Sequence, residues 1–525
     1  MQPRIPNLDA DADWRALLAE PHRTVLEQTV LPAWMQRMRW FGGKAHTIRG
    51  VKIADVIPFG PDADGARAAF VEVAYHDASD EVYFVPMQIA SGAEALRLTG
   101  ATPSAAIARL RENCVLHDAI HDAQFRAALL DMIANGKREV AGDAHFIGIP
   151  GRCMDSARTD LPDVSRALAL EQSHSSLLYG DRFFLKLHRK LEDGVNLDAE
   201  MIRHLGESRS FAHVPAFCGA IEHRRPGAPP RTLALLTACV PNTGTAWTTT
   251  LAELDSFFER AAGTKPDASL IEKLAGDFPE RARLLGRRTA GMHLALAADT
   301  GDPDFAPEPF DRATLHAACE SMTSTTRRTM ELLRKKSAGL PERIRAELLG
   351  LTSCETEIVR RQSRLLEIEN AGTRTRIHGD FHLGQALDTG SDFVFLDFEG
   401  EPARPLAERR MKRPPLCDVA GMLRSFHYAA HHARAHRPPG EGSDGLQAWA
   451  EIWAQRIGRD FLDAYLDAAR GASFLPADPK ALAILLEALL LEKAAYEIWY
   501  ELNNRPDWAF IPARGIRRIL DASKG

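Results

Sequence analysis

The spacing of apolar residues changes along the chain, and each change predicts a different kind of element. Residues 23–40, "RTVLEQTVLPAWMQRMRW", follow a helical period that Pro32 splits or ends. After them, "VKIADVIPF", "ARAAFVEVAYHD" and "EVYFVPMQIA" are Val-, Phe- and Tyr-rich runs separated by Gly, Pro and Asp clusters. They read as strands, the last two forming an antiparallel hairpin across "ASDE". A helix is expected in "DAQFRAALLDMIANG", closed by Gly136. From about residue 140 strand patterns return in "AHFIGIPG", "SRALALEQ", "SLLYG", "RFFLKLHRK" and "RTLALLTACV". "SLLYGDRFFLKLH" is a hairpin signal with Gly180 and Asp181 in the turn. "NLDAEMIRHLGE" follows as a helix capped by Asn196, with Leu197, Met201 and Leu205 on one face. Beyond residue 250 the pattern is almost wholly helical, interrupted by Pro-rich loops and by one polar stretch, "RIHGDFHLGQALDTGSDFVFLDFEGEPARP", residues 376–405.

This order predicts an α+β chain in three parts. Residues 1–95 make a small N-terminal α/β cap, 96–240 a β-rich lobe with linking helices, and 241–525 a large helical lobe. A chain of 525 residues exceeds one core and agrees with several domains. The net charge of -6, with no dense Lys/Arg block, excludes a nucleic-acid footprint. Seven cysteines, odd in number and never in a CxxC pair, predict reduced thiols in a cytoplasmic protein, without a disulfide frame or zinc site. The N-terminus lacks an apolar signal region, and Glu487 interrupts the most apolar segment, which reads as a buried helix and not a membrane span.

Within the polar stretch, "TRTRIHGD" and "DFVFLDF" read as two short strands. Asp380 then falls in the loop after the first, Asp397 at the end of the second, and Gln385 on a turn between them. Two carboxylates and an amide oxygen form a hard ligand set suited to Mg²⁺, whereas histidine or thiolate ligands for zinc are not spaced to join it. A single such Asp is more often a solvated turn acid; the ordered set His-Gly-Asp, Gln, Asp has instead the layout of a kinase catalytic loop. The amide is Gln and the last motif Asp-Phe-Glu, so this is not a standard protein kinase. Lys186 lies inside the apolar strand "RFFLKLH", an expensive place for an ammonium without an anion, the alternative being an edge lysine that snorkels to water. Glu200 on the next helix is its expected partner. The loop "EQSHSS" offers Ser173 and Ser175 to phosphates, and "LLTACV", with Thr237 and Val240, fits the strand and hinge for adenine. Asp418 either caps the helix of "VAGMLRSFHYAA" or braces the catalytic loop.

"HGDFHLGQ", "LDFEGEPARPLAERR" and "PLCDVAGMLRSFHYAA" closely resemble the maltokinases, relatives of the aminoglycoside phosphotransferases. "RWFGGKA", "EQSHSSLLYGDRFFLKLHRK", "LGRRTAGMHLAL", "FAPEPF" and "EKAAYEIWYELNNRPDW" are similar to that family in the same order, from about residue 25 to 520. The resemblance implies a bilobal protein-kinase-like fold and transfer of the γ-phosphoryl group of ATP to the anomeric hydroxyl of maltose. It implies Asp380 as base, Gln385 and Asp397 as Mg²⁺ ligands, Lys186 as phosphate lysine with Glu200 as its partner, and association with a trehalose synthase as in some members. Cys417 stands where a basic residue is expected, which puts a local ion pair in doubt. Lys493, Glu497 and Tyr500 share one helix face that meets either solvent or a polar cleft, and the resemblance puts that helix, with Tyr428, at the sugar site. The rivals are a kinase of another acceptor, such as glucosamine or an aminoglycoside, and a nucleotide-binding pseudokinase scaffold. The joint presence of Lys186, Asp380, Gln385 and Asp397 argues against the latter.

Overall fold

The computed structural model describes residues 5–60, 65–168, 173–209, 211–298, 301–402, 404–437 and 443–522. It divides into two compact units, Met1–Glu207 with Pro215–Cys239, and Ser208–Val214 with Val240–Gly525.

The first unit is built on two antiparallel sheets. One runs β1 (Ile48–Pro58), β2 (Arg67–Tyr75), β3 (Glu81–Ala90), β5 (Val115–Asp118), β4 (Ala106–Arg109), so it continues to Asp118, past the boundary at 95 that the sequence suggests. The β2–β3 hairpin forms as expected, with Val73 opposite Glu81. Trp34, Leu31 and Met35 are fully buried beside Val71, Val73 and Tyr83. The helix over 22–35 does not stop at Pro32. A wider turn at Leu26–Val30 precedes it, and the proline sits in the first turn of Leu31–Met35, where a missing N–H costs nothing. The second sheet is ordered β6 (Arg138–Ala141), β7 (Ala144–Pro150), β12 (Phe217–Arg224), β13 (Arg231–Ala238), β10 (Phe183–His188), β9 (His174–Tyr179), β8 (Ser165–Leu168). Short β11 (Lys190–Leu191) pairs with β3 and ties the two sheets together.

The expectation that every cysteine is a free thiol is corrected here. Cys153 and Cys218 form a disulfide across 65 residues of sequence. The reason is local: the Gly151 N–H donates to the Cys218 carbonyl at 2.9 Å, which sets the two Cα atoms 4.7 Å apart.

The second unit is helical, with long helices at Phe278–Ala297, Arg312–Lys336, Leu416–Ala435, Ser443–Ala468 and Pro479–Asn504. The most apolar segment lies in the last of these, and Leu485, Leu491, Ala494 and Ile498 are fully buried. No described helix is long and apolar enough to cross a membrane. The polar stretch folds differently from the expected pair of strands. β16 (Thr373–Arg374) pairs with β15 (Glu308–Pro309), and residues 376–382 form a loop without strand structure. The hairpin is β17 (Ala386–Asp388) with β18 (Phe393–Phe395), extended by β14 (Gly244–Thr245). A hairpin needs a turn between its arms, and "TGSD", with Gly390 at φ +87°, supplies it.

Candidate active site

The loop carrying Asp380 is fixed from below by one face of the Leu416–Ala435 helix. That helix begins at Leu416, so Asp418 is inside its first turn and does not cap it. Its side chain reaches the loop instead: Oδ2 accepts the His378 N–H at 2.8 Å and Oδ1 the Gly379 N–H at 2.9 Å. His293 Nε2 approaches the same carboxylate at 3.1 Å while its Nδ1 meets the Tyr465 hydroxyl at 2.9 Å. Burial would raise the Asp418 carboxyl, but the His293 contact, the nearby His378 and the Gly379 N–H outweigh it and hold it below the usual carboxylate range. One turn on is Gly421, where a Cβ would come within 2.5 Å of the Phe381 carbonyl. Ser425 Oγ accepts the Leu383 N–H at 3.1 Å. Positions 418, 421 and 425 are spaced i, i+3, i+7, so a single helix stripe holds the loop's backbone.

Asp380 is partly exposed, and its carboxylate lies 3.5 Å from Lys493 Nζ and 3.9 Å from His382 Nε2. Lys493 also pairs with buried Glu401 at 2.8 Å. Burial would lower the Lys493 ammonium, yet Glu401 and Asp380 overcome it and raise it, so it stays charged. The sequence reading did not single out Glu401, although "EGEP" lies inside the stretch it examined.

Gln385 ends a short turn, and its carbonyl accepts the Leu396 N–H at 2.9 Å, which seats it beside the last residues of β18. Asp397 follows with φ +66°, a left-handed conformation in a non-glycine residue. Asp tolerates it better than most residues, yet such strain gathers at functional sites. The available donors are an amide and a carboxylate oxygen, with Asp380 in the same loop region. That chemistry fits a magnesium ion.

In the first unit Lys186 is in the middle of β10, its side chain 13% exposed. It pairs at 2.7 Å with Asp198, which is fully buried. Asp198 lies two residues before Glu200, the expected partner, on the Leu197–Arg203 helix, which Asn196 caps as expected. Register decides the neighbours. Ser176 and Leu235 lie opposite Lys186, and Thr237 opposite Phe184, so Ser176 and Thr237 share the lysine's side of the sheet. Ser175 lies opposite Leu187, and its hydroxyl accepts from Arg189 Nε at 2.8 Å. Its hydroxyl is thus engaged by Arg189. Ser173 is an exposed residue just before β9. In the second unit, Val240 gives its carbonyl to the Asn242 amide at 2.8 Å.

Asp380 opens onto a cleft of about 640 Å³ within the second unit. All four residues expected to hold the sugar line it: Lys493, Glu497, Tyr500 and Tyr428. Trp247, Tyr496 and Trp508 add aromatic faces. The carboxylates are held, not free. Glu497 meets Arg424 at 2.8 Å, and Glu501 takes the Tyr428 hydroxyl at 3.2 Å and Arg505 at 2.8 Å. Burial raises both carboxyls above the usual range, with the arginines opposing it. Arg505 also lies over the Tyr500 and Trp508 rings at 5.6 and 4.5 Å. Arg424 was not foreseen; its signal was a lone arginine in an otherwise apolar helix run. Burial pushes the Cys417 thiol up to about 12, so it stays neutral, while nearby Arg413 pairs with Glu492 at 2.9 Å.

Residues 34–122 match the maltokinase N-terminal cap domain. The chain is 25% identical over 364 residues to a glucosamine kinase of Mycolicibacterium smegmatis, covering 68% of this chain and 79% of that protein. It is 26% identical over 365 residues to a glucosamine kinase of Streptacidiphilus jiangxiensis, covering 68% and 73%. In fold it is similar to a glucosamine kinase solved with glucosamine, ADP and inorganic phosphate, at TM-score 0.63 and 19% identity over 99% of this chain and 100% of that one. The chain thus matches a maltokinase-type cap domain at residues 34–122 and resembles sugar kinases over 68% of its length.

Proposed function

We propose that the protein transfers the γ-phosphoryl group of ATP to a hydroxyl of maltose held in the cleft beside Asp380. The observation that supports this most is the meeting of Asp380 with Lys493, Glu497, Tyr428 and Tyr500 on one wall lined with aromatic rings. Sugars bind through dense polar contacts and apolar ring faces, and this wall offers both. Asp380 orients the acceptor hydroxyl and takes its proton, while Lys493 fixes the carboxylate's position from one side. Gln385 and Asp397 would hold magnesium, which supplies charge neutralisation on the phosphates. Lys186, set by Asp198, supplies a positioning charge for the nucleotide. The maltose assignment rests on the motifs of residues 376–435 and on the maltokinase cap domain.

A second acceptor, glucosamine, is favoured by the kinases the chain resembles over 68% of its length. The carboxylates of Glu497 and Glu501 in the same wall would suit an amino group. ADP release measured with maltose, glucose, glucosamine and N-acetylglucosamine separates the readings. Maltose should give the highest kcat/KM. A strong preference for glucosamine replaces the acceptor and keeps the kinase, and no turnover with any sugar overturns the proposal.

A further inference from the structure

Away from the Asp380 cleft, three ligand-type side chains meet between two helices. His427 and His431 are one turn apart on the Leu416–Ala435 helix, their side chains 1% and 0% exposed. Glu451 comes from the Ser443–Ala468 helix. His431 Nε2 lies 2.9 Å and His427 Nε2 3.8 Å from Glu451 Oε1. One ligand atom from each residue falls within 4.8 Å of the others. Both Nε2 atoms and Glu451 Oε2 are buried, and Glu451 Oε2 makes no hydrogen bond among the described residues. One carboxylate oxygen thus faces two buried imidazoles, a convergence of three ligand-type groups at one point.

We infer that His427, His431 and Glu451 form a binding site for a zinc-class divalent cation that clamps these two helices together. Two imidazoles and one carboxylate are zinc ligands, and a water completes four-coordination. Bonds of about 2.1 Å in a tetrahedron put ligand atoms about 3.4 Å apart. The 3.8 Å gap therefore closes, and the 2.9 Å gap opens, by a few tenths of an ångström. A metal-bound imidazole gives its other N–H to an acceptor. The Gln447 side-chain amide, 3.2 Å from His431 Nδ1, offers an oxygen for that role once turned over. His427 Nδ1 lies 3.3 Å from Arg424 Nη1, a contact that metal binding must open, with Arg424 still held on Glu497 through Nε and Nη2. Arg514, paired with Glu347, and Arg518 also add positive charge around the site. These three cations weaken attraction for a dication, so binding in the micromolar range is expected, not the tighter range of fully anionic sites.

The test is titration of the chelator-treated full chain with Zn²⁺ and, for spectroscopy, Co²⁺. One equivalent should bind, raise the thermal midpoint, and give the intense visible bands of four-coordinate cobalt with nitrogen ligands. Mg²⁺ in excess should not compete. His431→Gln and Glu451→Gln should each weaken binding at least tenfold. His436→Gln should not, although it removes the exposed histidine of the neighbouring His432–His436 pair. Absence of saturable binding, or binding unchanged in both His431→Gln and Glu451→Gln, overturns the inference, as does loss in His436→Gln alone. If the His431 variant does not fold, a pale six-coordinate cobalt spectrum in the native chain overturns it equally.

Discussion

Asp380, Gly421 and Lys186 each carry a separable consequence. Asp380→Asn keeps the side-chain volume and loses the base, so kcat should fall roughly 10²–10⁴-fold with the thermal midpoint little changed. Gly421→Ala places a methyl 2.5 Å from the Phe381 carbonyl, and the backbone of the catalytic loop must move to admit it. Overpacking of this kind costs about 1–3 kcal/mol, more than the helix-propensity gain of about 1 kcal/mol. A lower thermal midpoint together with a lower kcat is expected; unchanged kcat would show that the loop is not seated by this helix. Lys186→Met breaks a pair whose other member is fully buried, so a loss on the order of 3 kcal/mol is expected. The double variant Lys186→Met/Asp198→Leu should recover most of that stability and none of the phosphoryl transfer. Recovery of both would make the lysine structural. The sequence made Lys186 legible because an ammonium in an apolar strand is anomalous. It left Asp198 unmarked, because nothing in a helical pattern says which acids of a helix face a neighbouring strand.

The Leu416–Ala435 helix organises the site, and its stripe of Asp418, Gly421 and Ser425 was readable only in part. The motif marked Asp418, and the alternative of an N-cap remained until the helix start at Leu416 settled it. The glycine and serine looked like ordinary helix residues, since a missing Cβ matters only once the loop is known to lie against it. Strands such as β2 and β13 were legible as apolar runs and are buried along most of their length, while β10 alternates. The short strands of the polar stretch were not so legible, because three-residue strands carry too little periodicity to reveal their partners. The Asp418 brace also predicts a pH dependence. Its folded carboxyl lies below the usual range, so it contributes stability fully above the unfolded value near pH ~4 and loses it as pH falls through the folded value. Thermal midpoints from pH 6 downward, all at one ionic strength, should fall less steeply in Asp418→Asn than in the native chain. Parallel curves would remove Asp418 from the acid limb.

For the molecule as a whole, the chain's motifs carried further than its composition. Charge and hydropathy gave a globular chain of several domains, and only the ordered run from "RWFGGKA" to "ELNNRPDW" led to a cap-bearing kinase. The disulfide between Cys153 and Cys218 escaped that reading because scattered cysteines reveal no pairing without the fold. Acceptor identity was equally out of reach: Lys493, Glu497, Tyr428 and Tyr500 are visible as a polar stripe, but their hydroxyl partners depend on a cleft that only folding creates. The central claim is that this cleft, with Asp380, moves phosphate from ATP to maltose. Its most direct test offers ATP with an equimolar mixture of maltose and glucosamine to the native chain and to Asp380→Asn, and identifies the phosphorylated sugar by mass and ³¹P NMR. The account predicts a single product, maltose phosphorylated at its anomeric carbon, formed by the native chain and at least a hundredfold more slowly by the variant. Phosphorylated glucosamine as the main product, or equal rates from the two chains, would contradict it.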